Sequence, residues 1–158
     1  MVSVFGNGGK IFQPQLMKSM YSPSEKLLKN YHAILENTVK IRPETEKIIL
    51  SAMKGVVNES GGTASRARLR NFTVGGKTGT SQVISLNKME DSNLKDKHRF
   101  QDHALFVALA PLEDPQIAVA VIVEHGGYGG TTAAPIARAM IHNYLSRKLK
   151  KGSEVGKK

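Results

Sequence analysis

His103-Ala-Leu-Phe-Val-Ala-Leu-Ala110 and Gln116-Ile-Ala-Val-Ala-Val-Ile-Val-Glu124, joined by Pro111-Leu-Glu-Asp-Pro115, form the stretch that decides the fold. Both runs are apolar, the second rich in β-branched residues, and the link between them is short, polar and bounded by prolines. That combination predicts two strands closed into an antiparallel hairpin. The second run, Ile117 to Val123, is apolar without a polar alternate, which predicts burial on both faces and a central place in the sheet.

Working outward, Phe72 to Ile84 also reads as extended, and Leu86 to Asp102 reads as a polar, charge-rich, exposed loop between strands. Downstream, Gly126-Gly-Tyr-Gly-Gly130 is a loop. After it Thr131 or Thr132 can cap a helix with Pro135 in its first turn, and Ile136, Met140, Ile141, Tyr144 and Leu145 make one apolar stripe that should pack on the sheet. Upstream, a helix is predicted from Pro43 to about Lys54. Pro sits in its first turn, Glu44 and Glu46 face the positive end of the dipole, and Ile48, Ile49, Ala52, Met53 and Val56 recur at helical spacing. Residues 1 to 20 suggest a short apolar start, a turn at Asn7-Gly8-Gly9 and an extended piece around Pro14, while residues 21 to 42 carry no clear period. The fold class expected is α+β, with an antiparallel sheet of about three strands flanked by helices.

The chain has 158 residues, 40% of them hydrophobic, which is one domain's worth and enough for a core. Its 23 Lys and Arg against 13 Asp and Glu give a net charge of +10, which opens anionic partners as a class. Half of that excess comes from the end: Arg147, Lys148, Lys150, Lys151, Lys157 and Lys158 against Glu154, read as a basic, disordered tail over 147–158 beyond a domain over 1–146. There is no cysteine, so disulfides, thiolate metal sites and cysteine nucleophiles are excluded. The longest apolar stretch, Ala104 to Leu112, is far short of the roughly 20 residues of a membrane helix. The start lacks the pattern of a secretory signal, so the chain as written is expected to stay in the cytoplasm.

The sharpest local motif is Gly75-Gly76-Lys77-Thr78-Gly79-Thr80. A phosphate-binding loop needs a further glycine where Asn71 stands and a helix where Ser81-Gln-Val-Ile84 follows, so that reading fails. On an exposed strand the same residues make a binding edge for an extended anionic ligand. Gly admits another backbone, Lys supplies charge, and two hydroxyls two residues apart point to one face. Lys-Thr-Gly accompanies Ser-x-x-Lys and Ser-x-Asn in serine β-lactamases and penicillin-binding proteins. Ser-x-x-Lys occurs at Ser51–Lys54, Ser85–Lys88 and Ser92–Lys95, none at a helix N-terminus, where a nucleophile of this kind belongs. Ser85-Leu86-Asn87 follows the Lys-Thr-Gly instead of preceding it.

Other motifs have bland readings. Gly127-Tyr-Gly129-Gly-Thr-Thr132 lacks the third glycine of a dinucleotide loop, so a turn and helix cap fit better. His98, His103 and His125 have no metal-ligand spacing and read as loop or strand-end residues; no metal or cofactor is expected. Lys10, Arg66, Arg68 and Arg70 read as a solvated face and not as a nucleic-acid patch, because aromatic residues are few.

Taken together, Phe5-Gly-Asn-Gly-Gly-Lys10 with Pro14, Gly61-Gly-Thr-Ala64, Gly76-Lys-Thr-Gly-Thr80, Asp102-His-Ala104, Phe106-Val-Ala-Leu-Ala-Pro111, Ile117 to Glu124, and Gly129-Gly130 with Ala133-Ala-Pro135 resemble the end of a class B penicillin-binding protein, closest to the elongation-type penicillin-binding protein 2. The resemblance covers about residues 1 to 146. It implies the C-terminal portion of a serine β-lactamase/D,D-transpeptidase-like fold. In that family a serine attacks the D-Ala-D-Ala end of a peptidoglycan stem peptide, expels D-Ala and passes the acyl group to an amine of a neighbouring strand; β-lactams acylate the same serine. It further implies that Lys77 supplies a positive field for the substrate carboxylate and that Thr78 and Thr80 hydrogen-bond it. Gly79 would let the ligand lie against the strand, and the Thr80 backbone N–H would be one of two oxyanion-hole donors.

In family order the nucleophile and Ser-x-Asn motifs come first, and this sequence begins after both. No catalytic residue is therefore expected within it, and no activity from the chain alone. The family is anchored in the inner membrane facing the periplasm, through a segment not represented in this sequence. Two readings stand: the end of a penicillin-binding transpeptidase, partnered by an upstream-encoded part, or a non-catalytic remnant or module that binds an anionic polymer. A further consequence of a partial domain is an exposed apolar patch.

Overall fold

The computed structural model describes residues 2–83 and 101–155, the last six of these by backbone alone. At its centre is a three-stranded antiparallel sheet of β5 (Gly75–Ser81), β6 (His103–Ala110) and β7 (Ile117–Val123). It is preceded in the chain by four short strands taken up below. The hairpin expected of β6 and β7 is present, with Phe106 opposite Val121 and Ala108 opposite Val119. On the other side of β6, Thr78 faces Phe106 and Gly76 faces Ala108. The polar span over 86–102 falls mostly outside the described residues, as do Ser85–Lys88, Ser92–Lys95, Asn87 and His98.

The central strand is β6, not β7 as the unbroken apolar run suggested. Burial along β7 alternates. Val119 and Val121 are buried, whereas Ala118 and Ala120 are exposed and Ile122 is 67% exposed. One face of β7 packs into the core; the other is met by residues 2–6, whose Val2 and Phe5 border a hollow with Ala120, and leaves Ile122 exposed, and no strand among the described residues pairs with its second edge. An apolar residue on both faces therefore signals a surface to be covered, which need not be covered by this chain.

The C-terminal helix α2 (Ala133–Val155) lies against β6 and β7. Its buried stripe is Ala133, Ala134, Ala137, Ile141 and Leu145, so the small alanines set the close packing, while Ile136, Met140 and Tyr144 of the expected stripe are 43–49% exposed. Its first amides are not satisfied by a threonine side chain. The Ala133 and Ala134 N–H groups both donate to the Gly129 carbonyl, and the Thr132 hydroxyl instead donates to the Gly126 carbonyl at 2.7 Å. The helix runs on through the basic segment as far as Val155.

Helix α1 (Pro43–Asn58) begins at the expected proline and extends a turn beyond Lys54. It packs beside β5 through buried Met53 and Val57, while Ile48 is turned to solvent. Asn58 ties its end to β5 by donating to the carbonyls of Lys54 and Val74. Arg68, read from sequence as part of a solvated face, donates to the last-turn carbonyls of Val57 and Asn58 and so satisfies the helix C-terminus.

The region without a clear sequence period is a nested pair of short ribbons. β1 (Lys10–Phe12) pairs with β4 (Leu35–Thr38), and between them β2 (Ser19–Tyr21) pairs with β3 (Leu27–Asn30), all antiparallel. No residue of the four strands is buried. Without a core to select one face there is no alternation to read. Asn7 starts this arm as expected of a turn residue, its side chain bridging both the N–H and the carbonyl of Lys10.

Candidate substrate-binding strand

Lys77, Thr78, Gly79 and Thr80 occupy consecutive positions of β5, whose second edge has no strand partner among the described residues. Lys77 and Thr80 are exposed, and Thr78 and Gly79 are half-buried. Strand alternation puts Thr78 and Thr80 on the face shared with Phe106 and Ala104, and Lys77 on the opposite face with Val107 and Ala120. The hydroxyls thus share a face, as the spacing predicted, but the lysine leaves from the other side. Its Nζ curls back to donate to the Thr78 carbonyl at 2.7 Å. The stem borders an apolar hollow of about 590 Å³ lined also by Phe5, Ile49, Met53 and Ala120.

The Thr78 hydroxyl meets that of Thr63 at 3.1 Å. Thr63 is held there by the turn after α1. Gly61 takes φ +82°, which favours glycine, and Gly62 sits where a Cβ would strike the helix-end carbonyls of Gly55 and Val56. The next amide, Ala64, donates to the Val56 carbonyl at 2.9 Å. From the other direction the loop before α2 lies flat on this strand: a Cβ on Gly129 would collide with the Leu105 carbonyl, and one on Gly130 with the Thr63 carbonyl.

That loop is fastened at its start by two histidines. The His125 N–H donates to His103 Nδ1 at 2.9 Å, and the rings stand edge to face with centroids 4.9 Å apart. Gly127 N–H donates to the Asp102 carbonyl at 2.8 Å. His103 faces Ser81 at the end of β5, so the clasp adjoins the Lys-Thr-Gly-Thr strand. The histidines read as strand-end residues are strand-end residues in contact, which no spacing in the sequence discloses.

Ser51, in the described Ser-x-x-Lys match, is exposed in the middle of α1 and lines a shallow hollow with Lys47, Ile48 and Glu59, apart from the one that Lys77 borders. The one displaced carboxyl in the described chain is remote from the strand's hydroxyls: Glu113, in the β6–β7 turn, is held below the usual range by the Thr73 hydroxyl, its own backbone N–H and the nearby Lys54. No helix among the described residues is long and apolar enough to cross a membrane.

The geometry can therefore bind an extended anionic ligand along β5, with a cation on one side and hydroxyls on the other. Comparison with known proteins places that strand in a family. The penicillin binding protein transpeptidase domain matches residues 1–142. The chain is 37% identical to the peptidoglycan D,D-transpeptidase MrdA of Haemophilus influenzae over 154 residues, 93% of this chain and 23% of that protein. It is 34% identical to stage V sporulation protein D of Bacillus subtilis over 150 residues, 91% of this chain and 21% of that protein. The chain thus spans less than a quarter of the length of these relatives.

Among solved structures, the ceftriaxone acyl-enzyme complex of penicillin-binding protein A from M. tuberculosis is similar at a TM-score of 0.67 with 26% identity, covering 89% of this chain and 29% of that one. Pseudomonas aeruginosa PBP2 in complex with WCK 5153 is similar at a TM-score of 0.64 with 30% identity, covering 90% and 27%. On the matched length, the shared fold and the Lys77–Thr80 strand, the chain belongs to the penicillin-binding protein transpeptidase domain family.

Proposed function

We propose that the chain is the C-terminal part of a peptidoglycan D,D-transpeptidase domain and contributes its substrate-binding strand, while residues outside it contribute the nucleophile. The observation that carries this reading is the placement of Lys77, Thr78, Gly79 and Thr80 on a strand whose second edge is unpaired among the described residues. A stem peptide ending in D-Ala-D-Ala is extended and anionic. The Lys77 ammonium supplies a field for its carboxylate, and the Thr78 and Thr80 hydroxyls donate to it. The Thr80 N–H stabilises the oxyanion that forms when the serine oxygen adds to the scissile carbonyl. The C–N bond then breaks, D-Ala leaves carrying the proton, and an amine of a neighbouring strand attacks the resulting ester. A β-lactam enters by the same route.

The exposed part of β7, with Ala118 and Ile122, and its edge, unpaired among the described residues, are where the rest of the domain seats. Membrane attachment, in this reading, also belongs to that remainder. The test is the rate of acylation by benzylpenicillin of the longer protein carrying this segment. Replacing Lys77 by Ala is expected to slow acylation by about 100-fold or more, the scale on which a pre-organised electrostatic partner acts. An unchanged rate would remove Lys77 from the site.

A further inference from the structure

Thr63 immediately follows the Gly61-Gly62 turn that ends the α1 segment, and its hydroxyl is the described partner of the Thr78 hydroxyl, at 3.1 Å. Three constraints fix it: the positive-φ turn at Gly61, the Ala64 N–H to Val56 carbonyl bond behind it, and the Gly130 backbone packed against its own carbonyl. Two hydroxyls at this distance share one proton along the line between them. Either may donate when the strand is empty. When a carboxylate approaches Thr78, only one arrangement is favourable. Thr63 donates to Thr78, and Thr78 donates outward, because the reverse would aim a lone pair of Thr78 at an anion. Donors in series also polarise one another, so the outward bond is strengthened by the inner one.

We propose that Thr63 is a positioning residue for substrate-carboxylate binding: it orients the Thr78 hydroxyl and holds it as a donor. The inference rests on the reading of the Lys77–Thr80 strand as the carboxylate site. Thr63 acts through Thr78, so its effect exists only while Thr78 is a hydroxyl.

The experiment compares Thr63→Val, Thr63→Ser, Thr78→Val and the Thr63→Val/Thr78→Val pair in the longer protein, with benzylpenicillin acylation as readout. Thr63→Val keeps the shape and removes the hydroxyl, and it is expected to lower the acylation rate about 3- to 10-fold, the scale of one neutral hydrogen bond. Thr63→Ser is expected to stay near the parent rate, and Thr63→Val is expected to add nothing in the Thr78→Val background. In the 158-residue chain itself, three-bond couplings are expected to show one Thr78 side-chain rotamer in the parent and in Thr63→Ser, and averaging in Thr63→Val. That readout does not depend on activity and checks that each variant folds. A Thr63→Val rate equal to the parent's, or an undiminished effect on top of Thr78→Val, overturns the positioning role while leaving the site reading intact. A Thr78→Val protein that acylates normally overturns the carboxylate role of Thr78 itself, and the inference with it.

Discussion

The ring of Phe106 occupies the space in which a side chain on Gly76 would stand. Phe106 is fully buried at the centre of the core, and Gly76 is the residue immediately before Lys77. The glycine therefore lets β5 lie down on β6 over a large aromatic. Gly76→Ala should destabilise the chain by about 1–3 kcal/mol through overpacking, measured by urea unfolding. Stability equal to the parent's would mean that the ring has room to withdraw.

The His103 acceptor anchors the loop that covers Thr78, since the His125 N–H donates to its Nδ1. His103→Phe keeps a ring but leaves that amide unpaired, and it should cost about 1 kcal/mol. Nitrogen chemical shifts should find His103 as the tautomer with its proton on Nε2. Hydrogen-exchange protection of the His125 amide should be lower in His103→Phe than in the parent, because that amide has lost its acceptor. Protection equal to the parent's would contradict the clasp.

How far the sequence disclosed this architecture depended on where the core lies. β6 and β7 were legible as apolar runs around a short polar link, the helices through the apolar stripe that burial imposes, and the Lys-Thr-Gly-Thr strand through its motif. β1 to β4 were not, because all four strands are unburied and carry no pattern. The central position assigned to β7 failed for a related reason: Ile122 is apolar yet 67% exposed, on a face that the described residues cover only in part. On β5 the motif named the residue types, while the partition of Lys77 and Thr78 to opposite faces follows from strand alternation and register. Thr63 and the His103–His125 pair were out of reach because their contacts join residues 15 and 22 positions apart.

Ile122 offers a test of what the bare face is for. At 67% exposure it contributes little to the chain alone, so Ile122→Lys should change the chain's own stability by less than about 0.5 kcal/mol. With the proposed seating of this face against the remainder of the domain, the same change in a longer protein carrying the segment should lower the melting temperature by several degrees, since it would bury a charge without a partner. An equal, negligible effect in both would leave the face solvent-exposed in the whole protein.

Glu113 gives the chain's stability a pH dependence. Its carboxyl is held below the ordinary range, first by the Thr73 hydroxyl, then by its own backbone N–H and by Lys54. Between the folded and unfolded values the unfolded chain binds more protons, so this contribution is full above the unfolded value and is lost as pH falls through the folded one. Glu113→Gln should thus be slightly less stable than the parent at neutral pH, by a fraction of about 1 kcal/mol because the group is exposed. The two should converge in acid. A gap that persists at low pH would place the effect elsewhere than in the charge.

The central claim is that this chain supplies the binding strand of a penicillin-binding transpeptidase domain and not its nucleophile. The most direct measurement is incubation of the 158-residue chain, and of the longer protein carrying it, with a fluorescent penicillin, followed by intact mass and peptide mapping of the adduct. The account predicts no adduct on the chain alone, and in the longer protein a single adduct on a serine outside these residues that is lost with Lys77→Ala. An adduct on the chain alone, at Ser51 or any other serine within it, would contradict it.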